Sequence, residues 1–446
     1  MIKKTRIKFL CEACLPIFAS GIIAAGLCYF LLHRGISGIT SDAWAYWEGS
    51  VSLLEGHGYA FFGGQPIKEF PPLFSFYLSA VQFFLGINFH SIVIAVAILS
   101  AATAIIWSRI LIILLVNKPY KKKAGIIGAI YIGMMLGTNY MQDLFAEFLL
   151  LPFLGLLILS FFNFNIQPAK KCLYIVIVAS VMLLTKNSAI AFLPGIFLLT
   201  FFYYLQLSQS EIKSLSVAFF VTFIPVLVWM SSRYILRQAG SHDIFPESMG
   251  YSPSEYFVVM ALDVASQFGI GIYSILFSEF FKSMAMFLNI MIISLIILFG
   301  TIYANLKNAN FYAVHPSLLP VMVMAISSFF SIWILFNLTY VYDLPKGRFL
   351  WHICLCGFIA LCVIYADIKN EASRKILGVI FLLLLLMQIL KTGFTTFFYY
   401  ASGITVSPGD AIASECIYDH CTVSEIEGKV VIPPPDFPHI NRYYYR

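Results

Sequence analysis

The chain has 446 residues, of which 60% are hydrophobic and only 11% charged, and its mean hydropathy is +0.86. A water-soluble protein of this length needs far more charge to cover its surface, so the composition excludes a soluble enzyme and predicts an all-α, polytopic transmembrane helical bundle. The net charge of +6 does not point to nucleic acid, because the positive residues stand in short runs between apolar segments, where they set membrane topology.

Lys3, Lys4, Arg6 and Lys8 precede the first apolar run. That run is too long for the h-region of a signal peptide and has no clean small-x-small cleavage site, so it reads as an uncleaved first helix. At about 20 apolar residues per span the chain holds about eleven spans. They fall near 10–32, 89–116, 124–141, 144–165, 172–186, 188–207, 214–232, 286–305, 317–340, 349–367 and 376–395. The basic runs fall on one side of this arrangement: Lys3 to Lys8, Lys118 with Lys121 to Lys123, Lys170 and Lys171, Lys213, Lys307, and Lys369 with Arg374 and Lys375. The positive side is cytoplasmic, which places the N-terminus inside and the C-terminal tail outside. Residues 1–395 then form one membrane module with outer loops at 33–88 and 233–285, and 396–446 form a short outer tail without an independent core.

The second outer loop carries His242-Asp243-Ile244-Phe245-Pro246-Glu247 and a half-apolar stretch from Tyr256 to Lys282. That stretch reads either as an interfacial helix or as a further pair of spans. Cys416 and Cys421 stand in the polar tail, where an oxidising compartment favours a local disulfide. Cys11, Cys14, Cys28, Cys172, Cys354, Cys356 and Cys362 lie in or beside apolar segments and act as small hydrophobes. Cys11-x-x-Cys14 has no second ligand pair, and His57, His242, His352, His420 and His439 are scattered, so no metal site is expected. No cofactor is predicted; a divalent cation is possible but not indicated.

The first outer loop carries Ser41-Asp42-Ala43-Trp44-Ala45-Tyr46-Trp47 directly after a single apolar run. Trp44, Trp47, Val51 and Leu54 recur at helical spacing and predict a short helix with one apolar face, ended at Gly56 or Gly58. Ser41 or Asp42 can cap that helix. At the membrane boundary Asp42 is also placed to accept a proton from an incoming hydroxyl. The loop continues Gly58-Tyr59, Gly63-Gly64-Gln65-Pro66 and Lys68-Glu69-Phe70-Pro71-Pro72-Leu73.

Asp42-x3-Tyr46, Leu53-Leu54-x-Gly56-x-Gly58-Tyr59 and Pro71-Pro72-Leu73 resemble the first outer loop of GT-C glycosyltransferases, in particular the protein O-mannosyltransferase and lipid A aminoarabinose transferase group. The resemblance covers about 37–85 best. It implies a polyprenyl-phosphate sugar as donor, a glycan, lipid or protein acceptor, and transfer on the periplasmic face of a bacterial inner membrane. It places the loop carboxylate on Asp42, with Tyr46 and Tyr59 beside acceptor or sugar. Group members carry an acid near the start of the fourth span, where this chain has Asp143 and Glu147. They follow the fifth span with Thr-Arg and then Pro-Gly; here Thr185-Lys186-Asn187 and Pro194-Gly195 stand, with Lys for Arg. Their late Arg-Tyr step is Arg348-Phe349 here, after Lys346-Gly347.

Arg34, Lys68, Lys186, Lys346 and Arg348 fall at outer span ends, against the cytoplasmic bias. Singly, each can snorkel to headgroups. Together they can hold a lipid phosphate whose charge grows as the sugar–oxygen bond breaks. A flippase or other transporter predicts paired broken helices in two halves, and the sequence shows no such symmetry. An O-antigen-type polymerase predicts its main loop late in the chain, and the 233–285 loop keeps that alternative open.

Overall fold

A computed structural model describes residues 2–32, 41–61, 66–67, 70–139, 146–162, 167–204, single residues and short stretches of 209–231, and 318–338, 351–368, 370–401, 424–426 and 429–431. The helices are α1 (Ile2–Leu32), α2 (Ser41–Leu54), α3 (Leu73–Leu85), α4 (Phe89–Leu115), α5 (Lys121–Asn139), α6 (Glu147–Phe162) and α7 (Pro168–Thr185). A 3-10 turn (Asn187–Phe192) leads into α8 (Leu193–Tyr204), and α9 (Leu319–Leu338), α10 (Trp351–Asp367) and α11 (Glu371–Ala401) follow. A short antiparallel hairpin, β1 (Ser424–Ile426) with β2 (Lys429–Val431), stands in the tail. The fold is thus helical throughout its described apolar part. Segments Cys14–Leu32, His90–Leu115 and Glu371–Leu390 are long and apolar enough to cross a membrane, and shorter apolar helices surround them. Most of the span expected at 214–232, all of the one at 286–305 and the loop at 233–285 lie outside the described residues.

The centre of the bundle is α1, α4 and α5 packed on one another, with α6 and α7 extending it past α4, and α10 and α11 closing it against α5. In lipid no hydrophobic force drives helices together, so close backbone approach does. Gly133 and Gly137 of α5 supply it. A Cβ on Gly133 would lie 2.6 Å from the Ser20 carbonyl oxygen, and one on Gly137 would lie 2.8 Å from Leu27 Cβ. Where α4 meets α1, the Ser108 hydroxyl donates to Ser20 Oγ at 2.8 Å, and Ser20 donates to the Ile17 carbonyl of its own helix at 2.7 Å. Gly133→Val is therefore expected to lower stability by about 1–3 kcal/mol through overpacking, read as a lower thermal midpoint in detergent. Gly26→Ala, where nothing lies within 4 Å of a new Cβ, is the control expected to leave the midpoint unchanged or slightly raised.

One end of the bundle is basic. Lys118 pairs with Asp367 at 3.1 Å, Arg374 lies 3.9 Å over the Tyr120 ring, and Lys121 donates to the Val116 carbonyl at 3.0 Å. These contacts bring together the C-terminal ends of α4 and α10 and the N-terminal ends of α5 and α11. The opposite end holds the start of α4, the start of α6, the end of α7 and the start of α10, because short connections join antiparallel neighbours.

At that opposite end α2 and α3, which follow α1 and precede α4 in the chain, pack on each other, and α3 packs on α4 and α7. Helix α2 ends as the glycines dictate: Gly56 has φ 81°, its N–H donates to the Leu53 carbonyl at 3.3 Å, and the His57 N–H donates to the Ser52 carbonyl at 3.0 Å, a Schellman cap. The expectation of a single apolar face on α2 is corrected by the structure. Every residue from Ala45 to Ser52 is buried, because Tyr59, Ile67 and Phe70 pack on the helix in addition to α3. Ser75 Oγ donates to the Tyr46 carbonyl at 2.9 Å, and Gln82 Nε2 donates to Ser50 Oγ at 3.2 Å. Helix α3, inside the expected outer loop, buries Ser75, Ser79 and Gln82 beside Phe74 and Leu78, while Phe83 and Phe84 are 72% and 81% exposed. Apolar-out, polar-in is the pattern of a helix that touches acyl chains rather than water.

Candidate active site

Two groups of side chains stand at the end of the bundle away from the basic residues. The first belongs to α2. Asp42 is the second residue of that helix, inside its first turn rather than at the cap the sequence suggested, and its side chain lies outside the described part of the structure. Tyr46 is fully buried, edge-on to Phe70 at 5.3 Å and to Phe74 at 5.2 Å. Tyr59 donates to the Phe70 carbonyl at 3.1 Å. Burial pushes the Tyr59 phenol well above its usual pKa, with a hydrogen bond to Ser75 acting the other way, so it stays a neutral donor. Gly49 lets this ring approach, since a Cβ there would lie 2.5 Å from Tyr59 Cε2. Both tyrosines thus lock the loop onto α2.

Glu48 is fully buried on the same helix, and sequence reasoning passed over it. The signal was there: it sits four residues after Trp44 and three before Val51, inside the stripe expected to be apolar. A buried acid is costly unless its surroundings compensate, so Glu48 is a further candidate on this helix.

The second group is built by a helix break. Thr185 ends α7, and Lys186 is extended, with φ −155° and ψ 141°. Asn187 and Ser188 continue as a 3-10 turn before Pro194, the second residue of α8. The break turns Lys186 inward, where its Nζ meets Glu147 Oε1 at 2.7 Å. The two side chains are only 10% and 3% exposed. Glu147 opens α6, where a carboxylate also suits the helix N-terminus. The sequence reading gave these two residues separate duties, acceptor and phosphate; the structure joins them.

Beside the pair is a small cavity, about 20 Å³ measured to water-molecule centres, lined by Glu147, Ser188, His352 and the apolar side chains of Leu150, Leu151, Phe192 and Ile332. His352, in the first turn of α10, places Nε2 2.7 Å from Ser328 Oγ of α9, and the Phe192 ring meets it edge-on at 4.7 Å. The neighbouring Trp351 stacks on Phe148 at 5.9 Å, which fixes α10 against α6. Gly195 lets α8 come into contact with Ser327 of α9, the helix whose Ile332 lines the cavity. Neither the His352–Ser328 pair nor the cavity was expected from sequence.

Arg34, Lys68, Asp143, Lys346, Arg348, Cys416 and Cys421 lie outside the described residues. Among the described residues, no three His, Cys, Asp or Glu side chains gather as metal ligands would.

No family model matches the chain, and no curated protein matches it. Among solved structures, the chain is similar to "Crystal Structure of ArnT from Cupriavidus metallidurans in the apo state", with 13% sequence identity and a TM-score of 0.46. The match covers 84% of this chain and 62% of that one, so the chain spans less than two thirds of that protein's length.

Proposed function

We propose that the protein is a membrane glycosyltransferase of the GT-C type, moving a sugar from a polyprenyl-phosphate donor to an acceptor hydroxyl on the periplasmic face of a bacterial inner membrane. The observation that carries this reading is the placement of α2 and α3. They connect the first two long apolar helices at the end away from the basic residues, and Asp42 opens α2 there. The lipid-facing aromatic side of α3 puts the same place within reach of a donor that arrives through the bilayer.

In this mechanism Asp42 takes the proton of the acceptor hydroxyl. The hydroxyl oxygen attacks the anomeric carbon, the bond to the phosphate oxygen breaks, and the configuration inverts. The phosphate leaves with the charge it gains, held by cations drawn from Arg34, Lys68, Lys186, Lys346 and Arg348. Asp143 and Glu147 position sugar or acceptor, with Tyr46 and Tyr59 setting the loop.

The test is turnover of a labelled polyprenyl-phosphate sugar by purified protein in detergent or vesicles. Transfer of label to an added hydroxyl acceptor is the expected result. Movement of the intact donor across the vesicle without bond cleavage would make the protein a flippase, and joining of pre-assembled lipid-linked glycans would make it a polymerase. Within the transfer reading, Arg348→Ala is expected to weaken donor use more than Arg348→Lys, because Lys keeps the charge but not the two-pronged geometry. Donor kinetics unchanged in folded Arg348→Ala would return Arg348 to headgroup anchoring.

A further inference from the structure

We infer that His352 and Ser328 are positioning residues: through one ordered water in the cavity they hold the Glu147 carboxylate in its pair with Lys186. The inference rests on the reading that this pair belongs to the transfer site.

The argument is a count of protons. Ser328 has one hydroxyl hydrogen, and the Met324 carbonyl 2.6 Å away accepts it. Towards His352 Nε2, 2.7 Å away, Ser328 Oγ is then the acceptor, so Nε2 carries the ring hydrogen and Nδ1 presents a lone pair. His352 is 2% exposed and lines the cavity together with Glu147. An ionised carboxylate also offers only lone pairs. Two acceptors on the wall of one cavity cannot bond to each other. A donor with two hydrogens can join them, which a water has and a single hydroxyl lacks. The cavity of about 20 Å³ exceeds the roughly 10–15 Å³ that one water requires. Ser188 is the remaining polar residue on the same wall. The rest of the lining is apolar, which leaves room for one water and no chain of them. Ser328 thus fixes the ring, the ring fixes the water, and the water fixes the carboxylate on its ammonium partner.

The direct test is a high-resolution structure of the unmodified protein. One solvent peak within hydrogen-bond distance of both the Glu147 carboxylate and His352 Nδ1 is expected; an empty cavity overturns the inference. The second test uses two replacements that divide the imidazole. His352→Asn keeps a polar atom near Nδ1 and loses the Ser328 contact, whereas His352→Gln keeps the Ser328 contact and loses the atom facing the water. Combined with Glu147→Gln, His352→Gln is expected to lower the melting midpoint by clearly less than the sum of the two single shifts, and His352→Asn by nearly the sum. Additive shifts in both pairs overturn it. Neither measurement needs a transfer reaction, so both decide the inference even where no polyprenyl-phosphate sugar is turned over. Where turnover is measured, His352→Gln is expected to lower kcat about 10- to 100-fold at unchanged donor KM, with most of the loss recovered in His352→Asn. Equal losses in the two variants count against it.

Discussion

Asp42→Asn is expected to fold, to bind the lipid donor and to lose about 10²-fold or more in turnover, the scale of a lost general base. The substitution isolates the proton. Asp42 stands in the first turn of α2, where a carboxylate adds only about 0.3–1 kcal/mol through the helix dipole, so a purely structural Asp42 predicts a working variant. The structure sharpens the comparison. Helix α2 is buried from Ala45 to Ser52 and closed by its own Schellman cap at Gly56, so its place does not depend on the side chain at its start. Loss of turnover in Asp42→Asn therefore cannot be charged to a lost helix. Asp42→Glu is expected to recover little, because a shift of about an ångström in a positioned group is costly. The measurement is single-turnover transfer from labelled donor, with donor binding followed separately. Near-normal turnover in the folded variant would sink the proposed base and move attention to Glu48, Asp143 and Glu147.

The parts of this protein legible in its sequence are those fixed by local chemistry. A run of apolar residues long enough to cross a bilayer needs no partner to be recognised, and Phe89–Leu115 falls within a residue of its expected limits, as the shorter apolar Trp351–Asp367 falls within two. The end of α2 was legible for the same reason, since Gly56 at positive φ is a property of one residue. Helix α3 was not. Its apolar run is shorter than a span, and its polar residues face inward, the reverse of the rule that reads amphipathic helices in water. The seam at Gly133 and Gly137 has a readable small-x-x-x-small spacing, but which helix fills it depends on the bundle. The His352–Ser328 contact joins residues 24 apart on two helices, and no spacing rule predicts it. Lys186 was visible as a cation at a helix end; that it turns onto Glu147 follows from the break at Asn187, whose direction only the packed structure supplies.

The Glu147–Lys186 pair allows a test that separates structure from chemistry. Glu147→Gln removes the carboxylate 2.7 Å from Lys186 Nζ and leaves a buried ammonium without it, which is expected to cost about 3–5 kcal/mol. Lys186→Met is expected to cost less, because a carboxyl group in an apolar site can take up a proton and become neutral. The double variant Glu147→Gln/Lys186→Met removes both charges at nearly constant volume. Replacing a whole buried pair by neutral groups is often harmless to stability, so its melting midpoint in detergent is expected to lie close to that of the unmodified protein and far above that of Glu147→Gln. Turnover is expected to go the other way. If Lys186 helps to hold the leaving phosphate, the double variant is well folded and slower by about 10²-fold or more, since a fixed cation acts where charge develops in the transition state. A double variant that is both stable and fully active would show that the pair only holds α6 to the end of α7, and would leave the phosphate to the remaining cations.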